Sequence, residues 1–231
     1  MNLNTAHFSH SSGMFNQQHF LAVLRDVFII FPVFLIIFTW RGFIQALVAK
    51  IAGDNTAQEE GFLTLNPLAH IDLYGFLIIM SIFFFIGSLF YNAIPRPVLL
   101  MILIMFGARW TVPVPINEHR FKHYRIGGLV TSLSGPIANF LLAFCALAAM
   151  KLILQINLAP HIVVTIVSIF KTLIDIALFF GVLDLIPLPP FDGGRALRYI
   201  LPYSAQPYLQ WLEEYSLIIL LVKSLLKRND K

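Results

Sequence analysis

The sequence predicts an all-α, polytopic membrane protein, a bundle of about five to six transmembrane or re-entrant helices. Of its 231 residues, 58% are hydrophobic and only 12% are charged, whereas soluble domains carry about a quarter charged residues. Several apolar segments approach the ~20 residues that a helix needs to cross a ~30 Å hydrocarbon core. A surface with so little charge is expected to face lipid rather than water.

The apolar segments are separated by breaks that are visible in the sequence. The first segment is predicted to run from residue 20 to residue 40, with a helical pattern that continues to residue 52. The Gly, Asp and Asn of GDNTAQEEG (53–61) end it. The further segments of spanning length are 73–92, 129–154 and 161–185.

Two other apolar pieces do not fit a simple crossing. The piece 98–110 is too short to cross alone, so it is predicted to be re-entrant or part of a hairpin. The piece 208–226 is amphipathic in its first half, and it either crosses fully or lies partly in the interface. The side of the basic C-terminal tail therefore stays open.

The chain is predicted to form one domain preceded by a short arm. Residues 1–19 are polar and lack the pattern of a cleaved signal peptide, so they are interpreted as a poorly ordered arm. Residues 20–231 are interpreted as a single intramembrane domain. Basic residues cluster at 109–125 and again at Arg195 and Arg198, two predicted crossings later. The positive-inside rule assigns both clusters to the cytoplasmic side.

Composition also excludes several kinds of site. Cys145 is the only cysteine, so a disulfide within a monomer and a thiolate-rich metal site are both excluded. The net charge of +4 would suit nucleic-acid binding in a soluble chain. Here it is interpreted as the charge of cytoplasmic loops, and no nucleic-acid partner is expected. The expected partner of the surface is the lipid bilayer.

Polar side chains within or beside apolar segments are the candidates for function, because polar groups at membrane depth are expensive. They form three groups. One combines Arg41 with Gln45, and a second is LNPLAHID, with Asn66, His70 and Asp72. The third places Asp184 and Asp192 around the proline-rich break IPLPPF. Broken backbone at membrane depth is tolerated where it lines a cavity, so this break is interpreted as the wall of a site.

These blocks resemble the site-2 protease family of intramembrane zinc metalloproteases, especially its short prokaryotic branch. The ordered set is specific and extends over about residues 38–201. The resemblance implies a site-2 protease fold, zinc as the cofactor of the family, and a bacterial cytoplasmic membrane. The matching stretches are GDNTA (53–57), LTLNPLAHID (63–72), PVPIN (113–117), SGPIAN (134–139) and DLIPLPPFDGGR (184–195).

The zinc motif of the family, H-E-x-x-H, falls on residues that differ from it. Alignment on the Gly-Asp pair at 53–54 places the two histidine ligands at Arg41 and Gln45 and the general base at Gly42. Helical spacing i, i+4 would put both ligands on one face. By the same resemblance, Asp192 is the one retained metal ligand. Asp184 stands where the family usually has an asparagine.

Each substitution removes a chemical capability that the family mechanism needs. The guanidinium of Arg41 stays protonated and has no lone pair for zinc. Gln45 offers only a neutral amide oxygen, and Gly42 has no group to accept a proton from a metal-bound water. A carboxylate at Asp184 would oppose a developing oxyanion that an amide could steady.

The same residues suggest a replacement for the metal. Without zinc, Asp184 and Asp192 are buried anions that need a cation, and the planar donors of Arg41 suit carboxylates. The hypothesis is that Arg41 pairs with Asp192, and also with Asp184, at the former metal position. In the alternative, Arg41 extends to the interface beside Trp40, an aromatic-belt residue.

Other polar residues can be explained by a structural role instead of a functional one. His70 and Asn66 suit satisfied cap or loop positions, and Asp72 suits the cap of a following helix. His119 and His123 are spaced i, i+4 beside Glu118, which raises a substitute metal site. Nearby basic residues would oppose a dication, so this reading is disfavoured.

The favoured function is that of a catalytically inactive pseudoprotease, with no cofactor, that binds or regulates other membrane proteins. Its groove is expected to receive a transmembrane helix or an extended peptide. One alternative is an active intramembrane metalloendopeptidase with atypical ligands. A transporter or channel is disfavoured because no duplicated half with broken helices is present. The expected partner groove comprises Asn66, Pro67, His70, Gly135, Pro136, Asn139, Pro187, Pro189 and Pro190.

Overall fold

A computed structural model describes residues 17–70, 72, 74, 81, 112–156, 159–189, 191–209 and 211. These residues form helices and irregular segments without a β-strand, which confirms the predicted all-α class. The α-helices are α1 (Gln17–Ala52), α2 (Thr56–Glu59), α3 (Tyr124–Ile153), α4 (Pro160–Asp184) and α5 (Asp192–Ile200), and 3₁₀ turns lie at Pro67–Ala69, Glu118–Arg120 and Tyr203–Ala205.

Three helices are long and apolar enough to cross a membrane. They are Phe28–Ala52 within α1, then α3 and α4. Their positions agree with three of the predicted segments, although α1 begins at Gln17 and so takes in the last residues of the predicted arm. The predicted segments 73–92, 98–110 and 208–226 lie outside the described residues, apart from helical Tyr74 and Ser81 and a few residues near 208.

The chain divides into two compact units. One comprises residues 1–29 and 73–110, and its described part consists of the first turns of α1 together with Tyr74 and Ser81. The other comprises residues 30–72 and 111–231 and contains every feature described below. The boundaries predicted for the arm and for a single domain stay predictions.

Helix α3 is the centre of the second unit, because it packs against both α4 and α5. The indole N–H of Trp40 on α1 donates to the carbonyl of Ala138 on α3 at 2.9 Å. The rings of Phe34 and Phe38 both meet Phe180 of α4 edge-on, with centroids 6.2 and 5.5 Å away. These contacts hold α1 beside α3 and α4, so that Arg41 of α1 lies close to Asp184 at the end of α4.

The C-terminal end of α1 lies beside the N-terminal end of α3. Gly53 has a φ of +114°, a conformation that side chains rarely adopt, and it ends α1 with a sharp turn. The amide of Lys122 then donates to the carbonyl of Ala52 at 3.0 Å. Since α3 and α4 are successive spans, the end of α4 and the following α5 return to this same end of the bundle, where the site lies.

Candidate functional site

The side chain of Arg41, a residue that the sequence resemblance aligned with the zinc motif, lies close to two buried carboxylates. Nη2 of Arg41 is 2.6 Å from Oδ2 of Asp192 and 3.3 Å from Oδ2 of Asp184. The side chains are 21%, 4% and 9% exposed, respectively. Burying such charges is costly unless they are paired with good geometry. The short contact to Asp192 is a charge-assisted hydrogen bond.

Three helix positions bring these groups together. Arg41 is in the C-terminal half of α1, Asp184 is the last residue of α4, and Asp192 is the first residue of α5. The loop between the two aspartates folds back tightly onto α5. A Cβ on Gly193 would lie 2.5 Å from the carbonyl oxygen of Leu185, which is why this return requires glycine.

Gly135 on α3 lets the ion pair pack directly on the helix backbone. A Cβ at this position would lie 2.4 Å from Oδ2 of Asp192 and 3.0 Å from Nε of Arg41. The adjacent Pro136 is buried within α3. Gly135, a residue of the predicted groove, is therefore directly beside the Arg41–Asp192 contact.

His70 fills the space beside Gly42. A Cβ on Gly42 would lie 2.3 Å from Nδ1 of His70, so the ring occupies the place of a side chain there. Nε2 of His70 is 2.9 Å from the carbonyl oxygen of Thr64, and the residue is 1% exposed. Nδ1 is buried without a hydrogen-bond partner among the described residues. A carboxylate base at position 42 would not fit this packing.

A cavity of about 430 Å³ adjoins the ion pair, a volume within the usual range of ligand pockets. Gln45, one helical turn beyond Arg41, is 6% exposed and lines it. Side chains from α1, α3, α5 and the preceding loops meet there. The remaining lining residues are Pro113, Val114, Ile116, Glu118, Ser132, Pro189, Arg195, Arg198 and Tyr199.

Glu118 ties the loop before α3 to two helices. Its Oε1 accepts from the hydroxyl of Tyr199 at 2.7 Å, and its Oε2 accepts from the hydroxyl of Tyr124 at 3.0 Å. Burial, together with the hydrogen bond to Glu118, raises the pKa of Tyr199. The phenol thus stays protonated and keeps donating to the carboxylate.

The other predicted groove residues have varied surroundings. Pro189 is buried and lines the cavity, whereas Pro187 is exposed and Pro67 is half-buried. Asn66 is exposed and caps the turn at Pro67–Ala69 by accepting from the amide of Leu68, which is the structural role considered for it. Both side-chain polar atoms of Asn139 are buried without a partner among the described residues. Pro190 lies outside the described residues.

The polar residues considered for other roles also have defined positions in the structure. His119 is in a 3₁₀ turn and His123 precedes α3, with extended Phe121 between them, so they do not share a helix face. Both are exposed, as is Asp72. Among the described ranges, no group of three His, Cys, Asp or Glu side chains could hold a metal ion.

Sequence reasoning did not assign several cavity residues to the site. Ser132 and Tyr199 were not selected there, and Glu118 was considered only as a neighbour of His119 and His123. Arg195 and Arg198 were used only to assign the cytoplasmic side. Their closeness in sequence to the PVPIN and DGGR stretches could have indicated that they belong to the site. Ser132 had no signal beyond its place one turn before Pro136.

Comparisons with known proteins add one relative. The chain is 28% identical over 190 residues, covering 81% of its own length and 76% of the other protein, to the "Putative zinc metalloprotease YwhC" of Bacillus subtilis (strain 168). No protein-family model matches the chain, and no solved structure matches it. Over four-fifths of its length the chain is thus similar to a protein named as a zinc metalloprotease.

Proposed function

We propose that this protein is a multi-pass membrane protein related to site-2 metalloproteases that does not cleave peptide bonds and instead binds segments of other membrane proteins. The observation that carries this proposal is the Arg41 guanidinium, 2.6 and 3.3 Å from the two carboxylates. A fixed cation at this position repels zinc and takes up the charge that zinc would neutralise. The proposed location is the bacterial cytoplasmic membrane.

The side chains at the site do not suit zinc hydrolysis. Asp192 is a possible ligand, but its closest partner is Arg41. Gln45 supplies no imidazole, and tetrahedral zinc sites use N, S and carboxylate ligands. The space beside Gly42 is filled by the ring of His70 rather than by a base. No step of metal-assisted hydrolysis can be built from these groups.

The cavity has features that suit an extended peptide. Pro113 and Pro115 restrict the residues before them to extended conformations, and they lack N–H groups. Val114 and Ile116 line the cavity, and among the described residues their amides have no backbone partner. An extended segment could therefore pair with this edge.

A second lining residue, Ser132 of α3, has a carbonyl that no helix N–H is available to bind. Pro136, inside α3, has no N–H to donate to the carbonyl four residues earlier, which belongs to Ser132. Ser132 lines the cavity and is 6% exposed. The site thus combines apolar proline walls with neutral donors and acceptors, as peptide-binding sites do.

The 28% identity to a protein named as a zinc metalloprotease favours a second candidate, an active intramembrane metalloendopeptidase with atypical ligands. The experiment that separates the two measures zinc content and cleavage on the same full-length preparation. We expect far less than one zinc per chain and an intact single-span substrate. Cleavage that Asp192→Asn abolishes would establish the second candidate instead.

A binding role needs a positive test. A photo-crosslinking residue at Val114, on the cavity wall, should capture intact membrane proteins in cells. The same residue at Gln58, exposed on α2 and outside the cavity, is the matched control. Equal capture at both positions would contradict binding in the cavity.

A further inference from the structure

We propose that one face of α4 is a contact surface between two copies of this chain within the membrane, where Lys171 of each copy pairs with Asp175 of the other. This inference goes beyond the proposed function and does not depend on it. It starts from two charged side chains that a spanning helix exposes far from its ends.

One side of α4 is buried against its neighbours. A Cβ on Gly181 would lie 3.0 Å from the ring of Phe140 on α3. The ring of Phe180 meets the rings of Phe34 and Phe38 on α1. This side of α4 therefore faces α3 and α1.

Lys171 and Asp175 lie on the other side of the helix. At 3.6 residues per turn they are about 180° and 140° around the axis from Phe180, and both are exposed. Because they are spaced i, i+4, they are neighbours on the helix surface. Among the described residues, however, neither side chain has an ion pair or a hydrogen bond. Both charges are thus left to a partner beyond the described part of the chain.

The two charges lie at membrane depth. Helix α4 has 25 residues, and Lys171 and Asp175 are roughly 16 and 13 Å from its nearer end. Charged side chains at such depth are costly, and in membrane proteins they pair with one another or face the interior of a bundle. A long lysine side chain can extend toward the interface, but the short side chain of Asp175 cannot. A partner of opposite charge within the membrane is therefore expected.

The charges belong to a regular row of positions, which we call the seam. Alternating steps of three and four residues, as along this row, are typical of helices that pack side by side. The hydroxyl of Ser168, in the middle of the row, donates to the carbonyl of Val164 at 2.9 Å, and its short side chain would let a second helix approach closely. Five seam residues are exposed and Ser168 is partly exposed; the seam comprises Val164, Ser168, Lys171, Asp175, Leu178 and Val182.

A second copy of the chain matches the charges of the seam. A twofold-symmetric interface brings one patch against itself, so a patch with one lysine and one aspartate becomes a neutral group of two lysines and two aspartates. Copies inserted in the same orientation are related by an axis along the membrane normal, which keeps both charged pairs at one depth. The cavity stays open in such a dimer, because its lining residues come from α1, α3, α5 and the adjoining loops.

The test is disulfide formation between full-length chains in membranes. In a Cys145→Ala background, Ser168→Cys places a thiol on the seam. The wild type is the matched control, because Cys145 is exposed on α3, eight residues before the end of that helix, and Ser168 is eight residues after the start of α4. With a membrane-permeant oxidant, we expect the Ser168→Cys chains to form dimers and the wild type to stay monomeric. A monomeric Ser168→Cys variant would contradict the interface.

Removal of the charges tests the pairing without impairing insertion into the membrane. Lys171→Leu combined with Asp175→Leu, added to the Ser168→Cys background, makes α4 more apolar. It should reduce crosslinking about tenfold, because it removes both intermembrane-helix pairs. Lys151→Leu is the matched control, since Lys151 is exposed in the last turn of α3 and outside the seam. Equal crosslinking in the two variants would contradict a role for the charges.

Charge exchange between two copies then identifies the partner residue. In the same Ser168→Cys background, Lys171→Asp gives each copy two acids and Asp175→Lys gives each copy two bases, so each variant alone should crosslink about tenfold less. Co-expression of the two variants under different tags should restore crosslinking between them. Recovery requires that both variants are inserted and folded, and its absence would contradict the Lys171–Asp175 pairing.

A photo-crosslinking residue at Val164 reports which molecule covers the seam. A product of two copies of the chain supports the proposal. A link to a different protein, or to another segment of the same chain, would show that the seam has another occupant and would overturn it.

Discussion

Arg41 balances the charge at the centre of the site. Without it, the carboxylates of Asp184 and Asp192 would be buried near each other, and among the described residues the other close cation is Arg195, 3.8 Å from Asp192. An unpaired buried charge costs several kcal/mol. At the scale of the residue, the free energy of unfolding should therefore depend on the balance between Arg41 and the two carboxylates, and not on Arg41 alone.

Arg41→Met should lower the free energy of unfolding by about 3 kcal/mol, because it removes one partner of a buried pair. The measurement is unfolding of the purified protein in detergent. Arg41→Met combined with Asp184→Asn and Asp192→Asn removes all three charges and should recover much of the loss. A triple variant less stable than the single variant would contradict the charge-balance argument.

Gly42 gives a second test at this scale. On helix propensity alone, Gly42→Ala should stabilise α1 by about 1 kcal/mol. Here the new methyl group would meet the ring of His70, so we expect a loss of about 1–3 kcal/mol instead. His70→Ala should make the same substitution much less costly, as a double-mutant cycle would show. Additive effects would mean that the two residues do not compete for space.

At the scale of the element, Asp54 connects the end of α1 to the cavity wall. It is fully buried, and its Oδ2 accepts from the amide of Asn117 at 2.7 Å. Its Oδ1 accepts from the amide and the hydroxyl of Thr56 at 2.9 and 2.5 Å. The segment that contains Val114 and Ile116 is thus anchored to the turn after α1.

Asp54→Ala should destabilise the protein by about 3 kcal/mol, since it leaves buried donors without their charged acceptor. Hydrogen exchange should also speed up at residues 114–117. Glu59→Ala is the matched control, because it removes an exposed pair with Arg120 that should contribute at most about 1 kcal/mol. Unchanged exchange at 114–117 in Asp54→Ala would show that the segment is held by other contacts.

Tyr199 makes the anchoring of this loop dependent on pH. Its pKa is raised in the folded protein, chiefly by burial and also by Glu118, whereas an unfolded tyrosine ionises near pH ~10. The folded state therefore binds the proton more tightly, and the free energy of unfolding falls as pH rises above ~10. The advantage of the wild type over Tyr199→Phe should be constant below pH ~10 and shrink above it. An advantage that persists well above that pH would contradict the assignment.

At the scale of the whole molecule, the site lies at one end of the spanning helices. The carbonyl of Ala52 at the end of α1 accepts from Lys122 just before α3, and Arg120 pairs with Glu59 after α2. The turn after α3 is separated from these groups by the length of that helix. By the positive-inside rule, the basic loop before α3 predicts that the site end faces the cytoplasm.

This arrangement predicts a labelling pattern. In a Cys145→Ala background, single cysteines at Glu60 and Arg120 should react with a membrane-impermeant reagent from the same side. A cysteine at Gln155, exposed after α3, should react from the opposite side. The positive-inside rule predicts that the first pair is cytoplasmic. Reaction of all three cysteines from one side would exclude α3 as a spanning helix.

Much of the architecture could be predicted from local patterns. The apolar lengths identify α1, α3 and α4, and the Gly-Asp pair at 53–54 marks the end of α1, because these features depend on residues close in sequence. The spacing of Arg41 and Gln45, and the aspartates on either side of the proline-rich break, indicate which positions belong to the site.

The contacts between distant positions depend on tertiary structure alone. The sequence by itself determined the class of the protein, its helices and the charged residues available to the site. Only the tertiary packing of the helices and of the loops between them decided that Arg41 is 2.6 Å from Asp192, that His70 fills the space beside Gly42, and that Glu118 binds Tyr199. Helical periodicity states which residues share a face but not which faces meet, so these distances and the cavity beside them could not be read from the sequence.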